Sequence, residues 1–155
     1  MKKNWIAVIF LFSISCYLYS QENNISDEDF YLKTIASFSS NNLYLSLTTL
    51  SVIKQNIELE NDTSRYVNYA DVVNSVIFTL EDEIKHLGEI LESQTLNKED
   101  NRFLKEIIKT FYSMKENAKL LLKYLNSKKD EDFDKFKNEH KNVLDDVERL
   151  FSTNK

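Results

Sequence analysis

Apolar residues recur at alternating spacings of four and three through most of the chain beyond residue 60. Tyr66, Ala70, Val73, Ile77, Leu80, Ile84, Leu87 and Leu91 form one series. Leu104, Ile107, Phe111, Met114, Ala118, Leu121 and Leu125 form a second, and Phe133, Phe136, His140, Val143, Val147 and Leu150 a third. Such a rhythm keeps side chains on one face of a helix, where neighbouring helices can bury them. An average step near 3.5 residues predicts helices that cross at about 20°. The pattern predicts helices near residues 63–92, 98–125 and 130–152.

A fourth helix is predicted ahead of these, near 27–59, and its pattern differs. One row holds Leu32, Ala36, Leu43, Leu50, Ile53 and Ile57. A second row, displaced by about 140° at 100° per residue, holds Tyr31, Ile35, Phe38, Leu45 and Val52. From Thr34 to Ile53 no residue is charged, and ten of those twenty positions are Ser, Thr or Asn. So polar a segment is no ordinary membrane span. A bundle helix normally turns charge outward. A wide apolar arc on an uncharged helix predicts either the most deeply buried helix of the bundle or a face covered by a partner. Ser39-Ser40-Asn41-Asn42 has poor helix propensity and could break this helix, which would leave a three-helix arrangement.

Composition supports the all-α reading. One glycine and no proline in 155 residues leave few turn formers for a strand-rich fold. Ser26, Asp62 or Ser64, Asn97, and Ser127 or Asp130 stand where helix N-caps are needed. The gaps at 60–63, 93–97 and 126–129 are short enough to make sequential helices antiparallel neighbours. The expected fold is a single up-down-up-down four-helix bundle over residues 21–155.

Residues 1–20 have a separate character. Lys2 and Lys3 precede a nearly unbroken apolar run from Trp5 to Tyr19, and Gln21-Glu22-Asn23-Asn24 follows. This is the layout of a secretory signal peptide, with cleavage expected after Ser20. Ser13-Ile14-Ser15-Cys16 resembles a relaxed bacterial lipoprotein signal, which would instead cut before Cys16 and lipidate it. In a third reading the segment stays uncut as an anchor. Cys16 is the lone cysteine, so no internal disulfide can form and an exported domain must rely on its core. Loss of Lys2 and Lys3 takes the formal charge from −5 to −7. So acidic a domain is a poor partner for nucleic acid or anionic headgroups. Membrane association is expected only through a lipid anchor.

Few residues suggest chemistry. Glu83 and His86 have the Glu-x-x-His spacing of di-iron bundles, but no second copy exists, and Ile84 and Leu87 facing the core would turn His86 to solvent. His140 lies on an apolar stripe, as does Met114, so a heme held between them is formally conceivable; a packed histidine bonded to a tyrosine or carbonyl is the plainer expectation. The carboxylate pairs Glu81/Glu83, Asp130/Asp132 and Asp145/Asp146 alternate with lysines and read as solvated surface. Gly88, beside Leu87, suggests close helix packing. No nucleophile sits in a strained turn beside a base. No cofactor or metal is expected.

These readings converge on an exported, non-enzymatic helical bundle of the bacterial envelope or exterior. It is expected to bind another protein, or a second copy of itself, through Tyr31, Phe38, Leu45 and Val52, with Tyr44 beside them. The alternative is a carrier of a hydrophobic ligand or heme within the bundle.

Overall fold

The computed structural model describes residues 27–59, 65–93 and 96–152. The segment read as a signal peptide, Cys16, Ser26, Asp62 and Ser64 all lie outside these residues. Four α-helices make up the described chain: α1 Asp27–Leu59, α2 Tyr66–Glu92, α3 Lys98–Ser127 and α4 Asp130–Ser152. No strand occurs among the described residues, so the protein is an all-α helical bundle. Chain packing divides into two units, Met1–Ser37 and Phe38–Lys155, and the core lies in the second.

α1 runs unbroken through Ser39–Asn42, so the poor propensity of that stretch does not end the helix. Propensity is a weak bias that burial overrides. Ser39, Leu43, Ser46, Leu50, Ile53 and Ile57 are all buried, an uninterrupted four–three series in which two serines occupy core positions. Leu47 is buried beside them.

The apolar stripes of the other helices form the rest of the core. Val73 and Leu80 of α2, the whole Leu104-to-Leu121 series of α3, and Phe136, Val143 and Val147 of α4 are fully enclosed. Each of these side chains but Ala118 contributes roughly 1.5–3 kcal/mol by leaving water. The closest backbone approaches run between α2 and α3 and between α3 and α4. Tyr66 at the start of α2 meets Tyr124 near the end of α3, with hydroxyl oxygens 3.0 Å apart. Burial and this pairing raise the Tyr124 phenol well above its ordinary value. From Tyr124 a run of ring contacts continues through Phe133 and Phe136 to His140, with centroids 4.6, 6.0 and 5.2 Å apart.

Helix ends follow local chemistry. Asn97 caps α3, its side-chain oxygen accepting from the amides of Glu99 and Asp100 at 2.9 and 3.0 Å. α2 begins at Tyr66, the first member of its apolar series, and Arg65 at its N-cap makes no side-chain capping bond. α3 ends at Lys128, which takes the left-handed conformation (φ 55°) and donates its amide to the Tyr124 carbonyl. That position usually goes to glycine, but here a lysine accepts the strain. Ser127 does not cap the first-turn amides of α4. It accepts from the Lys129 amide and donates to Asp132 at 2.7 Å.

Three readings from the sequence need correction. Asp132 is buried, not solvated: Lys123 pairs with it at 2.8 Å, and that bond and the one from Ser127 hold its carboxyl below the usual range. Glu83 is half-buried and accepts a hydrogen bond from the Asn42 amide of α1. Desolvation pushes its carboxyl up, against the opposing pull of that bond. Gly88 does not serve close packing, because a methyl group added there would meet nothing within 4 Å. It lines an open groove with Ile84, Tyr112 and Lys115.

Candidate functional site

The second row of α1 faces outward. In the Phe38–Lys155 unit, Phe38 is 59% exposed, Leu45 67% and Val52 48%. Tyr44, one residue before Leu45, is also exposed. Tyr31 belongs to the other unit and is itself exposed. None of the five is therefore a core residue.

The helix is continuous here because its inner face is held. Leu43, Leu47, Leu50, Ile53 and Ile57 anchor it, and two polar contacts fix its rotation. One is Asn42 to Glu83 on α2; the other joins Ser51 to His140 on α4 at 2.9 Å. With that rotation set, the residues opposite the core must meet water.

The exposed row is longer and more regular than the sequence reading had it. Leu59 continues it and is 84% exposed. Phe38, Leu45, Val52 and Leu59 are spaced by seven, and Asn41, Thr48 and Gln55 fall between them, so the exposed positions step three, four, three, four along the helix. All seven are exposed. The signal for Leu59 was its place in the seven-residue register. The stretch spans about 31 Å at 1.5 Å per residue. The flanking positions Asn42, Thr49 and Asn56 on one side and Tyr44 and Ser51 on the other add no charge. The first charged residues on this stretch are Lys54 and Glu58, which pair with each other at 3.7 Å.

The chemistry-bearing candidates resolve differently. His86 lies at the surface, 3.6 Å from Asp82, while Glu83 turns to Asn42, so the Glu-x-x-His pair does not converge. No cluster of three metal-ligating side chains occurs among the described residues. His140 is buried, and it is bonded to a side-chain carbonyl, that of Asn117, and to a serine hydroxyl, with no tyrosine among these partners. Its Nδ1 lies 2.9 Å from Asn117 Oδ1 and its Nε2 2.9 Å from Ser51 Oγ. The Asn117 amide nitrogen donates to the Phe136 carbonyl at 3.2 Å, so its oxygen accepts from His140 Nδ1–H. Nε2 then carries the lone pair and accepts from the Ser51 hydroxyl. Burial, reinforced by nearby Lys54, lowers the imidazole below its ordinary value. With both nitrogens engaged, His140 has no lone pair free for a heme iron, and Met114 is fully enclosed in the core.

No known protein family, curated protein or solved structure matches this chain. The functional reading therefore rests on the site itself. None of the described helices is long and apolar enough to cross a membrane.

Proposed function

We propose that the protein is an exported, non-enzymatic helical bundle that works by protein–protein binding through the outer face of α1. The observation that carries this reading is a row of four exposed apolar side chains, Phe38, Leu45, Val52 and Leu59, on a helix with no charge from Thr34 to Ile53. Isolated exposed apolar residues are ordinary, but exposed apolar side chains repeated every seven residues along one helix face, uncharged from Phe38 to Ile53, point to a surface that another molecule covers.

The up-down-up-down order of helices is the arrangement supported by Tyr66 meeting Tyr124 and by Asn117 bridging to α4. Export, with cleavage after Ser20 or lipidation at Cys16, rests on the charge and hydropathy of residues 1–20. The heme form of the carrier reading has no axial ligand at His140, where both ring nitrogens are engaged.

The test is the double substitution Phe38→Lys and Leu45→Lys. Association should be abolished while the far-ultraviolet circular dichroism stays helical. Loss of helicity would mean these side chains are internal core and would end the docking proposal.

A further inference from the structure

We propose that the occupant of this face is a second copy of the chain, paired through α1 in parallel and in register; this rests on the docking reading above and names its partner. Spacing is the first argument. Phe38, Leu45, Val52 and Leu59 stand at one position of a heptad and Asn41, Thr48 and Gln55 at the other. A strict seven-residue step slips about 20° per heptad on a straight helix, so a partner helix follows it only by crossing at about 20°. In a parallel, in-register pair each layer meets its own copy. Phe38 then faces Phe38, Asn41 faces Asn41, and Leu45 faces Leu45. Apolar layers alternate with amide and hydroxyl layers that can hydrogen-bond across the seam. An antiparallel pair sets each apolar position against a polar one, Leu45 against Thr48 and Val52 against Asn41, and strands both.

Charge is the second argument. In a two-fold interface any charge near the axis faces its own like. The chain is acidic overall, and the outer face of α3 carries Lys105, Glu106, Lys109, Glu116 and Lys119. A face evolved for a different, charged protein would carry complementary charge. The α1 seam and its flanks carry none from Phe38 to Ile53, which suits self-pairing.

Area sets the strength. Phe38, Leu45, Val52 and Leu59 of the seam, with Tyr44 on its flank, each keep roughly half or more of their surface exposed and can hide on the order of 500 Å² per copy. That is below the ~800 Å² per partner of a standard stable interface, which places the pair among weak, reversible contacts.

The test uses the full chain with Cys16→Ser, exported from a bacterial host, and cysteine introduced singly at Asn41 or, as a control, at exposed Lys119 of α3. Mild oxidation should give a disulfide-linked dimer from the Asn41→Cys chain and none from the Lys119→Cys chain. Adding Phe38→Lys and Leu45→Lys should reduce the cross-link at least tenfold; Leu45→Gln replaces that pair if it unfolds. A cross-link indifferent to these changes overturns the proposal. So does a monomer at about 100 µM by sedimentation equilibrium. A dimer that links Asn41→Cys to Val52→Cys, but not Asn41→Cys to itself, is antiparallel and also overturns it. A photo-cross-linker at Leu45 separates the two claims. Capture of a different protein by a monomeric chain sinks self-pairing and leaves docking standing; no capture by a monomer sinks both.

Discussion

α1 and α3 are similar in length, 33 and 30 residues, and opposite in design. α3 buries ten residues on one stripe, and its inward polar groups are answered: Thr110 bonds the Glu106 carbonyl, and Asn117 reaches Phe136 and His140. Its outer face is charged. α1 puts Ser39 and Ser46 into the core and Phe38, Leu45, Val52 and Leu59 outside. The Ser39 hydroxyl is buried without a hydrogen-bond partner. One helix is optimised for water on its outside. The other gives up apolar burial inside while carrying apolar surface outside, which makes sense for a helix that has a second neighbour to meet.

The sharpest way to probe this difference is a matched pair of truncations. Phe111→Ala, in the core stripe of α3, should cost about 3–5 kcal/mol in urea unfolding. Phe38→Ala, measured below the concentration at which chains associate, should fall within about 0.5 kcal/mol of the parent. Equal losses would erase the distinction between inner and outer rows.

The polar link between the two regions comes next in size. Asn117→Ala leaves His140 Nδ1–H buried without an acceptor and should cost about 2–3 kcal/mol. The same link predicts a pH dependence. The folded imidazole has a lowered affinity for protons, so the unfolded chain takes up a proton first as pH falls. His140 therefore contributes stability that is fully present above the ordinary histidine value of 6.5 and is lost as pH falls through it toward the lower folded value. Denaturant midpoints should drop between about pH 7 and pH 5, and His140→Gln should flatten that part of the curve. A parent curve flat from pH 8 to pH 5 would contradict the buried neutral imidazole.

Two small effects complete the comparison. Ser39→Ala should stabilise the chain by about 1 kcal/mol, because it removes an unpaired buried hydroxyl. Gly88→Ala should add about 0.5–1 kcal/mol, since the site is helical and has room for a methyl group. A loss at Ser39 would mean that its hydroxyl is hydrogen-bonded after all, and a loss at Gly88 that the groove there has no room for a methyl group.

Four helices, and the absence of strands among the described residues, were legible in the apolar rhythm and in the scarcity of glycine and proline. The members of the candidate row from Tyr31 to Val52 were legible as lying off the four–three stripe, but whether they faced water or the bundle was not, and Leu59 was missed. Polar residues in inward positions were harder to see. Ser39 and Ser46 continue the core series of α1, yet a serine on a Ser- and Asn-rich helix gives no signal of burial. Asn117 and Ser51 could not be paired with His140 in advance, because the link depends on how three helices rotate against one another. Asp132 looked like surface beside Asp130 and Glu131; only the turn at Lys128 brings it under Lys123 and Ser127. Gly88 misled for the opposite reason, since its apolar neighbours suggested a close contact that its own direction on α2 does not make.

The central claim is that the outer row of α1 is open in the single chain and covered by a second copy in the working protein. Hydroxyl-radical labelling of side chains across a dilution series tests it most directly. The account predicts strong labelling of Phe38 and Leu45 in dilute protein, progressive protection as concentration rises, and no labelling of Phe111 or Leu121 at any concentration. Protection of Phe38 and Leu45 at the lowest concentration, or labelling unchanged across the series, would contradict it.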